Sequence, residues 1–191
     1  MKRPITLHTG KLIWVGEHWI AALRPDGAEK PSAWISLFHT RYSAAGEGNA
    51  AQVIVPGLSV VATDNRELGE YAQREFFARS SVRDPNAPIV EARFRREGDT
   101  RRDPAWVIET GNHRVVARWV VTDPPVIADG SIREGTEHFA LLFFTNEATV
   151  ELNGKRVEGK PYPRDIWKPS IGGERSSCVF ALAEAFMELP T

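Results

Sequence analysis

The stretch from Pro104 to Asp123, PAWVIETGNHRVVARWVVTD, constrains the fold of this chain more than any other part of its sequence. Its two arms are rich in β-branched and aromatic residues, and they flank Gly111-Asn112, where glycine supplies the positive φ of a type II′ turn. The stretch therefore predicts an antiparallel hairpin. In its second arm, alternate residues share one strand face, namely Val115, Ala117, Trp119 and Val121.

Short strand-like segments joined by turn residues recur along most of the chain. The segment ATVELNGKRVEG predicts two of them, joined by Asn153-Gly154, the strongest short hairpin signal. In total the sequence predicts about nine to ten strands, mostly linked as hairpins. This pattern indicates a mainly β (or α+β) fold, with an antiparallel sheet arranged as a β-barrel or a sandwich.

One helix is predicted at about residues 65–79, within and just after the segment DNRELGEYAQREFF. Asp64 is the expected N-cap, because its carboxylate can accept free N–H groups of the first turn, and Glu67 completes a capping box. Gly69 weakens this helix by about 1 kcal/mol relative to alanine. Apolar residues at helical spacing predict one buried stripe, formed by Leu68, Tyr71, Ala72 and Phe76.

The C-terminal segment SSCVFALAEAFMEL contains residues 176–188, which could form either a strand or a helix. As a strand it places Cys178, Phe180, Leu182 and Phe186 on one face. As a helix it has a Ser176 cap, good helix formers and a stripe of Val179, Leu182, Ala183 and Phe186. Propensity favours a second helix, whereas the strand-rich context favours a closing strand, and both alternatives stay open.

Length and charge restrict the class of protein. A chain of 191 residues is expected to form a single globular domain over residues 1–191. The formal net charge of −1 gives no attraction to nucleic acid, and no apolar run is long enough to span a membrane. One cysteine and no signal peptide predict a cytoplasmic protein.

The sequence contains no complete motif for a metal, a cofactor or a nucleophile. The five histidines lack the spacing of metal ligands, and no glycine-rich phosphate loop occurs, so neither a metal nor a cofactor is expected. Cys178 lies in an apolar segment that should raise its pKa, which predicts a buried structural thiol. His18 is a candidate base, but Glu17 cannot assist it because neighbouring residues of a strand face opposite sides.

The segment YPRDIWKPSIGG, Tyr162 to Gly173, is the strongest candidate for a functional loop. Its prolines restrict the backbone, and ordered loops with charged and aromatic residues often carry sites. Asp165 could act as a general base, Arg164 could balance a charge, and Trp167 could stack on a ligand. The alternative is a structural corner in which the same residues only pair and pack.

A ligand cavity would draw its walls from the large aromatics and its polar contacts from arginine. Arg118 is flanked by Val116 and Val120 on its strand face, so it could be a buried cation that holds a carboxylate or phosphate. With the loop residues Arg164 and Trp167, the predicted ligand-binding set is completed by four tryptophans, Trp19, Trp34, Trp106 and Trp119.

Two segments carry a resemblance to known proteins. NGKRVEGKPYPRDIWKPSIGGERSSC and TDNRELGEYAQ together resemble a group of uncharacterised bacterial proteins of similar length. The strand-rich chain, with a turn containing Trp and Gly before its last element, is also similar to lipocalin-like (calycin) barrels. That resemblance implies binding of small, often apolar molecules, and some members of that group are isomerases or hydratases.

Three functions follow as expectations. The first is a binding protein for a small, partly apolar molecule. The second is a metal-independent enzyme of isomerase or hydratase type that moves protons with Asp165 or His18. The third is an interaction module whose exposed aromatic surface meets a partner protein or a second copy of the chain as a homodimer.

Overall fold

In a computed structural model, residues 10–121, 123–133, 135–167 and 171–189 are described, except for the side chains of residues 131–133 and 167. These residues form three sheets and one α-helix. The largest sheet has eight strands, which in spatial order are β5 (Ile89–Glu91), β4 (Leu58–Thr63), β3 (Gly48–Val55), β2 (Ala33–Ser43), β1 (Lys11–Leu23), β15 (Cys178–Glu188), β10 (Thr136–Thr145) and β9 (Val126–Arg133).

A five-stranded sheet packs against one face of the eight-stranded sheet. Its strands, in spatial order, are β12 (Lys155–Arg156), β11 (Glu147–Leu152), β8 (His113–Val120), β7 (Ala105–Thr110) and β6 (Arg93–Glu97). Two short strands, β13 (Pro163–Arg164) and β14 (Arg175–Ser176), form a separate pair. The described strands thus confirm a mainly β fold, with more strands than predicted.

Aromatic side chains fill the space between the two large sheets. Trp19 stacks on Phe180 at 4.2 Å between ring centroids and meets the edge of Trp119 at 5.2 Å. All three side chains are fully buried. The arrangement resembles a sandwich, and the predicted barrel is not confirmed, because the eight-stranded sheet ends at β5 and β9 instead of closing on itself.

Both predicted hairpins are confirmed. Thr110 pairs with His113 across the turn at Gly111, whose φ is +53° while Asn112 keeps a negative φ, as a type II′ turn requires. Asn153 and Gly154 have φ values of +52° and +76°, the two positive angles of a type I′ turn between β11 and β12. These turns depend only on local chemistry, so the sequence predicts them well.

Helix α1 (Arg66–Glu75) lies within the predicted range and is followed by a 3₁₀ turn at Phe77–Arg79. The predicted cap is wrong by one residue, because the side chain of Asn65, in an extended conformation, accepts from the Leu68 backbone N–H at 3.3 Å. The Asp64 carboxylate instead accepts from the backbone N–H of Asn49 at 2.7 Å and so joins the helix start to β3.

The C-terminal segment is strand β15, so the helix alternative is wrong. It pairs with β1 on one side and β10 on the other, and these two ladders outweigh its helix propensity. Strict alternation is also wrong for this strand. An extra residue between Ala181 and Glu184, relative to both neighbours, is a β-bulge that moves Glu184 and Phe186 to the face opposite Phe180.

The described helix is too short and too polar to cross a membrane.

Candidate functional site

A cleft of about 530 Å³ lies on the outer face of the eight-stranded sheet, the face turned away from the five-stranded sheet. Its floor comes from β1, β2 and β15, and its other walls come from α1, the 3₁₀ turn and the loop after β13. We call this space the outer cleft. It is lined mainly by apolar side chains, among them Ile20, Phe38, Phe76, Ile166 and Phe186.

Four polar side chains form a continuous row beneath and beside the outer cleft, one from each of four adjacent strands. His18 Nε2 lies 3.0 Å from the Ser36 hydroxyl oxygen, and His18 Nδ1 lies 3.4 Å from Glu184 Oε2. The other oxygen of Glu184, Oε1, accepts from His138 Nε2 at 2.7 Å. We call Ser36, His18, Glu184 and His138 the polar row.

The register of the strands produces this row. Ser36 on β2 lies opposite Ile20 of β1. Ile20 is two residues after His18, so Ser36 and His18 are on the same face of the sheet. Glu184 pairs with Gly16 of β1 and with Ala140 of β10. His138 lies two residues before Ala140 and therefore on the same face of β10. The bulge in β15 is essential, because without it Glu184 would point into the core between the sheets.

Glu184 is the buried charge of the row. Its exposed fraction is 5 %, and burial alone would raise the pKa of its carboxyl. The attraction of His18 and the hydrogen bond from His138 outweigh burial and lower the pKa to about 2. Oε2 lies 3.4 Å from His18 Nδ1, a longer contact than the 2.7 Å hydrogen bond from His138 to Oε1.

Aromatic rings hold both imidazoles in place. Phe38 stacks on His18 with 4.0 Å between ring centroids and an interplanar angle of 14°. Phe186 stacks on His138 at 5.0 Å and 19°. Because each ring is held on one face by a phenyl group and at its edge by Glu184, the orientation of the row is defined by packing as well as by polar contacts.

Arg164 provides positive charge to the outer cleft. Its guanidinium lies 5.0 Å from the centroid of the Trp34 ring and donates to the Ser81 hydroxyl at 3.0 Å. Burial lowers the pKa of this guanidinium. Among the described residues no carboxylate lies within ion-pair distance of Arg164. Arg66, Arg96 and Arg118, by contrast, each form an ion pair with a glutamate.

Of the residues predicted from sequence, three line the outer cleft: His18, Trp34 and Arg164. Asp165 lies beside Arg164 but is exposed and does not line the cleft. The side chain of Trp167 lies outside the described part of the chain. Two described residues of this loop, Arg164 and Ile166, line the cleft, and Arg164 also pairs in the β13–β14 strands.

The structure places the other predicted ligand contacts elsewhere. Trp19, Trp106 and Trp119 pack against one another between the sheets, where each ring has a neighbour instead of a cavity. Arg118 is not buried, since its side chain is 37 % exposed on the opposite face of β8, near Glu97 and Asp103. Arg118 is therefore on another surface of the molecule from the outer cleft.

Three members of the polar row were missed by the sequence analysis: Ser36, His138 and Glu184. Each is a polar residue beside a run of apolar residues, as in the segments AWISLF, HFALLFF and FALAEAF. A polar residue at such a position is the available signal, because burial of an unpaired polar group is costly and demands a partner. The identity of that partner depends on the strand order, which the sequence does not reveal.

The sequence prediction for Cys178 is confirmed. The thiol is fully buried, and burial raises its pKa to about 12. It lies on the inner face of β15, in the core between the sheets, away from the polar row. Among the described residues, no group of three or more His, Cys, Asp or Glu side chains is arranged to hold a metal ion.

No protein-family model, no curated protein and no solved structure matches this chain. The resemblance to lipocalin-like proteins, the cytoplasmic location and the possible homodimer therefore stay predictions. Any function has to be argued from the geometry of the outer cleft itself.

Proposed function

We propose that this protein binds a small, largely apolar molecule with one negatively charged group, such as a carboxylate, in the outer cleft. The carrying observation is a cleft of about 530 Å³ with an apolar lining, a hydrogen-bonding floor and, at its wall, the Arg164 guanidinium, which has no carboxylate partner among the described residues. Typical ligand sites have this combination, in which apolar area supplies affinity and a few polar groups orient the ligand.

Arg164 supports an anionic group on the ligand. A partly buried guanidinium without a carboxylate partner keeps part of its charge unsatisfied, and a bound anion would satisfy it by charge-assisted hydrogen bonds. By contrast, Arg79, which also borders the cleft, lies 3.5 Å from Glu75 and is already paired. Arg164 is therefore the expected anchor for the charged end of the ligand.

The apolar lining supports the rest of the ligand. Phe38, Phe76 and Phe186 form a cluster with centroid distances of 4.6 Å for Phe38–Phe76 and 5.8 Å for Phe76–Phe186. Aromatic walls of this kind favour alkyl or aromatic groups, since each apolar Å² removed from water contributes about 25 cal/mol. Ile166 extends this surface to the opening, where its side chain is 53 % exposed.

Decanoate and the matched uncharged probe 1-decanol test the proposal by thermal shift and by titration calorimetry. We expect both probes to bind, with decanoate the tighter, and Arg164→Met to weaken decanoate by roughly tenfold while leaving decanol nearly unchanged. Ile166→Asp should weaken both probes. Ile127→Asp is the control, because Ile127 is 63 % exposed on β9 and does not line the cleft.

The proposal is wrong if neither probe binds at millimolar concentration, or if Ile127→Asp and Ile166→Asp reduce binding equally. Equal loss of decanoate and decanol in Arg164→Met would overturn the role of Arg164 as anchor. Circular dichroism of each variant shows whether the fold is retained.

A further inference from the structure

We propose that Ser36, His18 and Glu184 act as nucleophile, base and orienting acid in the hydrolysis of a carboxylic ester held in the outer cleft. The inference rests on the proposed function, since the substrate must occupy that cleft. Its basis is connectivity: the Ser36 hydroxyl meets one nitrogen of His18 at 3.0 Å, and Glu184 lies 3.4 Å from the other nitrogen. A hydroxyl, an imidazole and a carboxylate connected in this order activate a serine in proteins of unrelated fold.

The charge on Glu184 selects the useful tautomer of His18. An ionised carboxylate facing Nδ1 favours a proton on Nδ1, which leaves the lone pair of Nε2 directed at the Ser36 hydroxyl. His138 holds the carboxylate by donating to Oε1 at 2.7 Å, and Phe38 fixes the plane of the His18 ring. The base is therefore oriented before any substrate arrives.

The residues of the proposed triad differ in whether they are in contact with the outer cleft. Ser36 and His18 line the outer cleft, whereas Glu184 and His138 lie buried behind them. Among the described residues, Ser36 is the one hydroxyl group that contacts a histidine ring nitrogen. The nucleophile and base thus face the space where a ligand would sit, and the charged acid is shielded from water.

The chemistry balances with water as the second reactant. The Ser36 oxygen forms a bond to the ester carbonyl carbon, and its proton passes to His18 Nε2. The tetrahedral intermediate expels the alkoxide, which takes the proton from His18 and leaves as an alcohol. Water then adds to the acyl carbon while His18 accepts its proton. The bond from the acyl carbon to the Ser36 oxygen then breaks, this oxygen takes the proton back from His18, and a carboxylic acid is released.

Arg164 links the reaction to the proposed ligand class. It lies over Trp34, which is two residues from Ser36 on the same face of β2, so Arg164 and Ser36 line the same cleft. Both the tetrahedral oxyanion and the carboxylate product carry negative charge that a nearby guanidinium stabilises. The expected substrates are esters of apolar acids, and the expected product belongs to the same class as decanoate.

The test uses p-nitrophenyl octanoate hydrolysis, together with a fluorophosphonate probe whose attachment site is found by peptide mass spectrometry. The wild-type protein should form a Ser36–phosphorus bond with loss of fluoride, and it should release p-nitrophenolate. Ser36→Ala should abolish labelling and reduce kcat/KM at least a hundredfold, and Glu184→Gln should reduce kcat by a similar factor. Ser59→Ala is the control, since the Ser59 hydroxyl donates to Asp84 and forms no hydrogen bond with a described histidine.

Decanoate binding to the same samples separates this inference from the proposed function. Decanoate binding without labelling or hydrolysis overturns the triad and leaves the binding function in place. Labelling at Ser36 without decanoate binding supports the triad and overturns the proposed ligand class. Labelling at any other serine, or equal activity in Ser36→Ala, overturns the triad. Circular dichroism of Ser36→Ala shows whether its loss of labelling is a loss of fold.

Discussion

At the scale of single residues, Glu184 is the least expected feature of the molecule. A carboxylate with 5 % exposure loses the hydration that would stabilise its charge in water. It is retained because both of its oxygens face an imidazole, at 2.7 Å and 3.4 Å. Removing either histidine would leave a buried charge with half of its compensation, so these three residues depend on each other for stability.

Acid titration should reveal Glu184. Its folded pKa of about 2 lies below the ordinary value of 4.5, so its ionisation stabilises the fold above about pH 4.5, and that stabilisation is lost as the pH falls toward 2. Between pH 5 and pH 3, the wild type should lose about 2 kcal/mol more unfolding free energy than Glu184→Gln. Urea denaturation of both proteins measures this difference. Parallel pH profiles would contradict the low pKa.

At the scale of secondary-structure elements, helix α1 shows how closely one element can approach another. Its buried residues Leu68, Tyr71 and Ala72 pack on the outer face of the eight-stranded sheet, and Gly69 faces β4 and β5. A Cβ atom at Gly69 would lie 2.7 Å from Thr63 Cγ2 and 3.2 Å from Ile89 Cγ2. Glycine is therefore required by the contact and not by the helix, which it weakens.

Gly69→Ala should destabilise the protein, although alanine is the better helix former. The gain of about 1 kcal/mol in helix propensity is smaller than the overpacking cost of about 1–3 kcal/mol, so we expect a lower free energy of unfolding. Thr63→Ser is the matched second change, because it removes the Thr63 methyl group and retains the hydroxyl that donates to Asn49 O at 2.7 Å.

Thermal and urea unfolding of the single and double variants would decide the matter. The double variant should recover part of the stability that Gly69→Ala loses. A Gly69→Ala variant more stable than the wild type would show that the helix moves away from the sheet at little cost.

The elements also show what the sequence can predict. The turns at Gly111 and at Asn153-Gly154 were predictable because positive φ angles are a local demand that few residues meet. The start of α1 was missed by one residue because Asp64 and Asn65 are both good caps, and the choice depends on a contact between Asp64 and β3. Strand order and the pairing of β15 depend on distant segments and were not predictable.

The candidate site was predicted only in part for the same reason. His18, Trp34 and Arg164 were named from local sequence and do line the outer cleft. Ser36 and Glu184 join His18 only through strand pairing, and Glu184 also needs the bulge in β15. Period-two alternation places Glu184 on the inner face, so the pattern used for the sequence prediction gives the wrong side for this residue.

At the scale of the whole molecule, the indole of Trp119 joins the two large sheets. It lies on β8 of the five-stranded sheet, and its Nε1–H donates to the backbone carbonyl of Ile20 on β1 at 2.9 Å. Trp106, on the neighbouring strand β7, is almost as buried, but its Nε1 has no hydrogen-bond partner among the described residues. Both tryptophans therefore fill the same core, but among the described residues Trp119 also links the two sheets by a hydrogen bond and Trp106 does not.

This difference predicts unequal costs for the same substitution. Trp119→Phe and Trp106→Phe both remove core volume, but only Trp119→Phe removes a hydrogen bond. We expect Trp119→Phe to lower the free energy of unfolding by about 1–2 kcal/mol more than Trp106→Phe does. Chemical denaturation of the two variants measures the difference, and equal losses would show that the bond to Ile20 contributes nothing net.

The central position of β15 has a consequence for synthesis on the ribosome. β15 lies between β1 and β10, so the eight-stranded sheet cannot be completed before residues 178–188 have emerged. Until then β1 and β10 each present an unpaired edge, which is a template for wrong pairing with other nascent chains. Because Glu184 is on β15, the polar row also assembles only after residues 178–188 have emerged.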